Sequence, residues 1–120
     1  MVSLLAYFAG QKDSTVFRDA LPILGQDGTL WNIQPQSPAA GHVVAKTGTL
    51  VGDDPLHLGL LLTAKGLAGY VTTRDGRRLA FAAYVNNVSL PTTPDAITRV
   101  AGQALGEIAA AAYETAGTAP

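Results

Sequence analysis

Cysteine is absent from this 120-residue chain. Its absence excludes a disulfide framework, a thiolate nucleophile and thiolate metal sites, and leaves the redox compartment open. Charge is also scarce: eight basic and nine acidic residues leave a net charge of −1. No basic stripe exists, so nothing favours nucleic acid or anionic lipid as a partner. The two histidines, His42 and His57, are too few and too isolated for a metal site, and no metal or cofactor is expected. No apolar run approaches the roughly 20 residues of a membrane span. The first ten residues are apolar but lack a basic n-region, so no export signal is expected in the chain as written.

Hydrophobic residues make up 48% of the chain. A domain of this length buries about two-thirds of its unfolded surface, so it can hold a core. The low charge suits a chain that packs against something else, and an alanine-rich globular domain gives the same figure. No internal repeat or low-complexity linker divides the sequence, and a single domain over residues 1–120 is expected.

Residues 2–9 are a short apolar helix candidate. Asp13 or Ser14 can cap a second, ended by Pro22. The stretch from Ile23 to Leu30 is rich in turns, and residues 32–41 read as a loop. Val43 and Val44 give residues 42–50 strand character. Residues 51–66 read as an excursion with a short buried segment around Leu60-Leu61-Leu62. Two further strands, about 68–74 and 77–86, flank Asp75-Gly76, a pair that supplies positive φ at little cost in a hairpin turn. Leu79 to Val85 is apolar on both faces, as in a strand covered on both sides. A closing helix over about 94–114 follows, with Thr93 as N-cap and Pro94 at its first position. Its apolar stripe is Ile97, Val100, Ala101, Ala104, Leu105, Ile108 and Ala112.

The chemistry-bearing motif is Lys46-Thr47-Gly48 on the first strand. K-T-G accompanies S-x-x-K and S-D-N in class A β-lactamases and penicillin-binding proteins. The pleat puts Lys46 and Gly48 on one face and Thr47 and Thr49 on the other. An ammonium at Lys46 supplies positive charge and can assist proton movement. The Thr47 hydroxyl can bind a carboxylate, and Gly48 leaves room in a groove. The Thr49 backbone N–H can donate to a developing oxyanion. A solvated lysine on an edge strand is the plain alternative.

Three ordered runs carry a resemblance: Ala20-Leu21-Pro22-Ile23-Leu24-Gly25-Gln26-Asp27-Gly28-Thr29-Leu30, then Val43 to Leu50, then Leu67-Ala68-Gly69-Tyr70-Val71-Thr72-Thr73-Arg74-Asp75-Gly76-Arg77-Arg78-Leu79-Ala80-Phe81. Together they resemble the D-alanyl-D-alanine carboxypeptidase/endopeptidase family of low-molecular-mass class C penicillin-binding proteins, over roughly residues 3–110. The resemblance implies an α+β, β-lactamase/transpeptidase-like domain of which this chain is the C-terminal part. It implies exported serine peptidases that act on peptidoglycan D-Ala-D-Ala peptides through an acyl-enzyme and are acylated by β-lactams. It makes Lys46 and the Thr49 N–H catalytic groups, and Thr47 and Gly48 substrate-binding.

The departures are specific. The four serines, Ser3, Ser14, Ser37 and Ser89, are followed three residues later by Ala6, Phe17, Ala40 and Thr92, so none forms S-x-x-K. None forms S-x-N either. About 45 residues precede Lys46, too few for the helical subdomain that carries both motifs. Tyr84-Val85-Asn86 matches a Y-x-N pattern but falls after K-T-G, out of the family order. Asn87-Val88-Ser89 is a formal glycosylation sequon that a strand-to-helix turn explains. The chain is therefore expected to lack a nucleophile and to be inactive alone, cytoplasmic if made as written. Its expected partners are a D-Ala-D-Ala peptide or β-lactam in the parent enzyme, the missing N-terminal portion of the domain, and further copies joined through strand 77–86. A non-catalytic peptide- or protein-binding module, or a β-lactamase or esterase relative, are the alternatives.

Overall fold

A computed structural model of the chain describes residues 1–93 and 95–115. It opens with two short helices, α1 (Val2–Ala9) and α2 (Ser14–Asp19). Phe8 and Phe17 stack at 4.8 Å between ring centres and hold the two together. Phe17 meets Tyr70 edge-on, and the Tyr70 hydroxyl donates to the Leu5 carbonyl at 2.6 Å. This buried bond pins α1 to the sheet, because a phenol lodged among apolar groups is costly without a partner.

The sheet has three antiparallel strands in the order β1 (Val43–Asp54), β2 (Gly59–Thr72), β3 (Arg78–Leu90). All three expected strands are present, and each is longer than the sequence suggested. Residues 51–66 are not an excursion. β1 and β2 run on to a hairpin tip at residues 55–58, with a register shift at Leu50/Val51. Leu62 is fully buried with Leu90, Ala96 and Ala101, so this end of the sheet has a small core of its own. That core also draws β3 out to Leu90. Asn87-Val88-Ser89 thus lies within a strand rather than a strand-to-helix turn, with Asn87 at a φ of 57°.

The Asp75-Gly76 turn forms as expected, with Gly76 at a φ of 89°. The Thr73 N–H donates to the Arg77 carbonyl at 2.8 Å, and the Thr73 hydroxyl accepts from the Arg77 N–H at 3.0 Å. β3 is apolar on both faces, yet among the described residues it is an edge strand rather than a central one. Its faces are half-covered, by the closing helix and by α1.

That helix begins with a π-helical stretch, Ile97–Gly102, and continues as α3 (Gln103–Glu114). Pro94, expected at its first position, lies outside the described residues. The buried positions are Ala101, Gly102, Leu105, Gly106, Ala109 and Tyr113. The expected stripe is therefore rotated, leaving Val100 and Ile108 about half exposed. A π-turn inserts an extra residue per turn and moves the phase of everything after it. Gly102 and Gly106 then face Ile33; a Cβ at Gly106 would sit 2.4 Å from Ile33 Cγ2. This face of the sheet holds the main core, where Leu105 and Ala109 join Leu24, Leu30, Val43, Ala45, Leu67 and Val71.

Gly69 of β2 pairs with Ala45 of β1 where no side chain fits between the strands. A Cβ there would lie 2.1 Å from the Val44 carbonyl oxygen and 2.6 Å from Ala45 Cα. Backbone cannot swing aside as a side chain can. Gly69→Ala is expected to cost about 3 kcal/mol, at the upper end of overpacking effects. Urea unfolding monitored by circular dichroism checks this.

Candidate functional site

The K-T-G strand forms the other edge of the sheet, and that edge is closed along part of its length only. The Leu24 N–H donates to the Val43 carbonyl at 2.9 Å and the Ala45 N–H donates to the Pro22 carbonyl at 3.0 Å. A bridge between Ile23 and Val44 results. The loop that makes it is locked from within. Asp27 Oδ1 accepts from the Ile23 N–H at 2.6 Å, and the Gly25 N–H donates to the Leu30 carbonyl at 2.8 Å. Gly25 and Gly28 take φ values of 74° and 57°, which let the chain fold back on itself.

From Lys46 onward no described backbone pairs with this edge. The Val43 carbonyl and the Ala45 N–H both point outward, so the alternation of an antiparallel strand turns the backbone groups of Thr47 and Thr49 outward as well. The Thr49 N–H is thus an open donor on the strand edge.

The side chains divide as the pleat requires. Lys46 pairs with Ala68 and Gly48 with Gly66, while Thr47 pairs with Leu67 and Thr49 with Lys65. Lys46 is exposed, and its Nζ donates to the Thr47 carbonyl at 2.9 Å. Lys46 and Gly48 border a groove of about 540 Å³ whose far wall is Leu4, Leu5 and Phe8 of α1. A Cβ at Gly48 would meet nothing within 4 Å. Packing therefore does not demand glycine there. A side chain would enter the groove instead.

On the opposite face the threonines join a polar cluster. Thr47 Oγ1 lies 3.4 Å from Thr29 Oγ1. Lys65 Nζ donates to Thr49 Oγ1 at 3.0 Å. Sequence reasoning assigned no role to either Thr29 or Lys65. Thr29 sits in one of the family-like runs, so it was within reach. Lys65 had one signal, a lone cation among the apolar residues from Leu60 to Leu67. It is only 7% exposed, and among the described residues no carboxylate is paired with it. Burial, and then the Lys46 charge, hold its ammonium below the usual value of 10.5. Of the Y-x-N match, Tyr84 lies across β2 from the β1 edge and lines the same groove as Lys46 and Gly48, while the Asn86 side chain donates to the Thr63 carbonyl.

A K-T-G strand with a free edge, a flanking groove and a C-terminal helix behind it is a specific arrangement, and comparison with known proteins gives it a family. A model of the D-Ala-D-Ala carboxypeptidase 3 (S13) family matches residues 1–105. The chain belongs to that family. It is 33% identical over 93 residues to the D-alanyl-D-alanine carboxypeptidase DacB of Haemophilus influenzae, an alignment covering 74% of this chain and 17% of that protein. It is 41% identical over 87 residues to the carboxypeptidase DacB of Mycolicibacterium smegmatis, covering 69% of this chain and 16% of that one. The crystal structure of penicillin binding protein 4 (dacB) from Haemophilus influenzae matches with a TM-score of 0.68 and 25% identity, over 94% of this chain and 23% of its own. The chain thus spans less than a quarter of the length of these S13 relatives. Its three strands and closing helix are those of a transpeptidase-like fold.

The Lys65 environment has a pH consequence. Folding lowers this pKa, so between the lowered value and 10.5 the unfolded chain binds more protons than the folded one. Stability from this group therefore rises with pH through that window and is at its lowest beneath it. Lys65→Met removes the dependence. The stability difference between wild type and Lys65→Met, from urea unfolding at a series of pH values, is expected to move in favour of wild type as pH approaches 10.5. A difference that stays flat with pH counts against the burial argument.

Proposed function

We propose that this chain provides the substrate-binding strand of a serine-type D-Ala-D-Ala carboxypeptidase domain that acts on peptidoglycan stem peptides through an acyl-enzyme. The open edge of β1 from Lys46 to Thr49 carries the reading. In this assignment the peptide lies along that edge, Thr47 and Gly48 hold it, and the Thr49 N–H stabilises the developing oxyanion. Lys46 supplies positive charge and assists proton movement. One preorganised oxyanion donor is worth about 3–4 kcal/mol in transition-state stabilisation. Peptidoglycan lies outside the cytoplasmic membrane, which places the proposed action in the cell envelope. No described helix is long and apolar enough to cross a membrane.

The same reading makes these 120 residues the C-terminal part of a larger catalytic domain and inactive by themselves. Acyl transfer needs a nucleophile with an adjacent base, and none of the four serines stands in S-x-x-K. Without the nucleophile only binding and oxyanion stabilisation are left. Incubated with a fluorescent penicillin, the purified chain is expected to form no covalent adduct on a denaturing gel. A stoichiometric adduct would falsify this reading.

The proposed partner of β3 is the remainder of the domain. An edge strand turns half of its N–H and C=O groups outward, and here that strand is apolar. A strand from elsewhere in the domain would satisfy those groups; in its absence a second copy can. Light scattering is expected to show association of the purified chain that rises with concentration. Tyr84→Lys, at an exposed position of β3, should reduce it by charging the edge. A monodisperse monomer at high concentration would rule out pairing between copies.

A further inference from the structure

Arg18, at the end of α2, carries a buried donor with no acceptor. Its Nε is shut off from water and makes no hydrogen bond among the described residues. The side chain also stands outside every ion pair between described residues. A buried donor left unpaired keeps the full cost of losing its water, and the cost is larger when the group is charged.

Arg18 borders a cavity of about 240 Å³ between α1, α2 and the sheet. Arg78 of β3 borders it too, and Ser14 and Thr72 add hydroxyls. Tyr70 also lines it, but its hydroxyl is engaged by the Leu5 carbonyl. The remaining walls are apolar, and no carboxylate is among them. Asp13 and Asp19, the acids nearest in sequence, are exposed, and Asp75 is taken by Thr73 and Arg77. The cavity is thus rich in donors and lacks an acceptor for its guanidinium groups.

Its position indicates what fills it. Tyr70 and Thr72 of β2 pair with Ala80 and Arg78 of β3, so the cavity floor reaches the free edge of β3. A strand laid on that edge would send alternate side chains over the same face. α1 forms another wall, through Ala6 and Ala9. Apart from Ser3 it is apolar all round, yet Met1, Val2, Leu4 and Tyr7 are exposed. A helix of that kind belongs inside a larger body, and the chain spans less than a quarter of the length of its S13 relatives. Polypeptide fits this place better than a free solute.

We propose that the cavity is a socket for an aspartate or glutamate side chain, carried by the segment that completes the sheet beside β3. The carboxylate docks on Arg18, and Arg78 adds charge from the β3 side. Arg18 turns its Nε–Nη edge onto the carboxylate, so that two parallel hydrogen bonds form and the stranded donor gains its acceptor. An amide in the same place would leave the guanidinium charge unbalanced. The identity of the segment rests on the proposed completion of the domain at β3; the carboxylate socket does not.

The test is an NMR titration of the isotope-labelled 120-residue chain at constant ionic strength. The probes are the blocked peptide acetyl-Thr-Val-Glu-Val-Thr-amide, its glutamine counterpart, and N-acetylglutamate N-methylamide. As a strand, the first peptide puts its glutamate on one face and its valines on the other. Both glutamate probes should shift the Arg18 Nε–H signal. The glutamate peptide should bind about tenfold or more tightly than the glutamine peptide, the factor expected of a charge-assisted hydrogen bond. Arg18→Lys keeps the charge and loses the fork, so it should weaken this preference; Arg18→Met should abolish it. If neither variant folds, the comparison of the two peptides on the wild-type chain decides. Equal affinity for the two peptides, or an Arg18 signal indifferent to both glutamate probes, overturns the socket. β3 amides that respond alike to both peptides support the edge partner and remove the socket. An Arg18 signal that responds while no β3 amide does supports the socket and removes the completion of the sheet at β3.

Discussion

Two backbone hydrogen bonds decide what the edge of this sheet can do. Leu24 to Val43 and Pro22 to Ala45 close the edge at its start. They also fix which backbone groups of β1 face outward, because the alternation cannot change along a regular strand. Given an outward Ala45 N–H, the outward Thr47 and Thr49 follow. The bulge at Leu50/Val51 comes one residue later and ends the regular stretch. The regular part of the open edge is therefore short: a loop closes its start, and the register shift ends the alternation, though the edge stays unpaired among the described residues to Asp54.

The loop that closes the edge is itself determined locally. Asp27 bonds back to the Ile23 N–H, and two glycines at positive φ allow the return. That is why the Ala20–Leu30 run and the K-T-G strand behave as one unit, though some 20 residues of chain separate Leu24 from Val43. Leu24 and Leu30 lie fully buried against Val43 and Leu67. Burying two leucines is worth roughly 1.5–3 kcal/mol each, more than the net gain from the two edge hydrogen bonds. The apolar anchor thus positions the loop, and the hydrogen bonds set its register.

Much of this was legible in the sequence, and the parts that were not have a common cause. The Asp75-Gly76 turn and the order of strands rest on local chemistry, which a sequence displays directly. The division of Lys46 and Gly48 from Thr47 and Thr49 follows from the pleat alone. The longer β1–β2 hairpin was obscured because Gly52, Asp53, Asp54 and Pro55 are poor strand formers, and pairing with an apolar neighbour overrode that preference. The helix phase was lost to a π-turn, which no periodic pattern announces. Lys65 was passed over because its meaning lies in a partner on another strand. A lysine in an apolar run reads as solvated until its neighbour across the ladder is known.

The site joins two kinds of group that respond differently to burial. Lys46 is exposed, donates to the Thr47 carbonyl, and contributes a screened field to the groove. Lys65 is withdrawn from water, so its field is screened much less and acts on one hydroxyl. Its hydrogen bond to the Thr49 hydroxyl gives that field a fixed direction, which a solvated lysine lacks. Gly48 contributes from the other face: no packing contact requires it, and its bare backbone keeps the groove beside the open donors clear. In the proposed function the chemistry of this strand is recognition and charge stabilisation, the part of acyl transfer that preorganised donors perform without a nucleophile of their own.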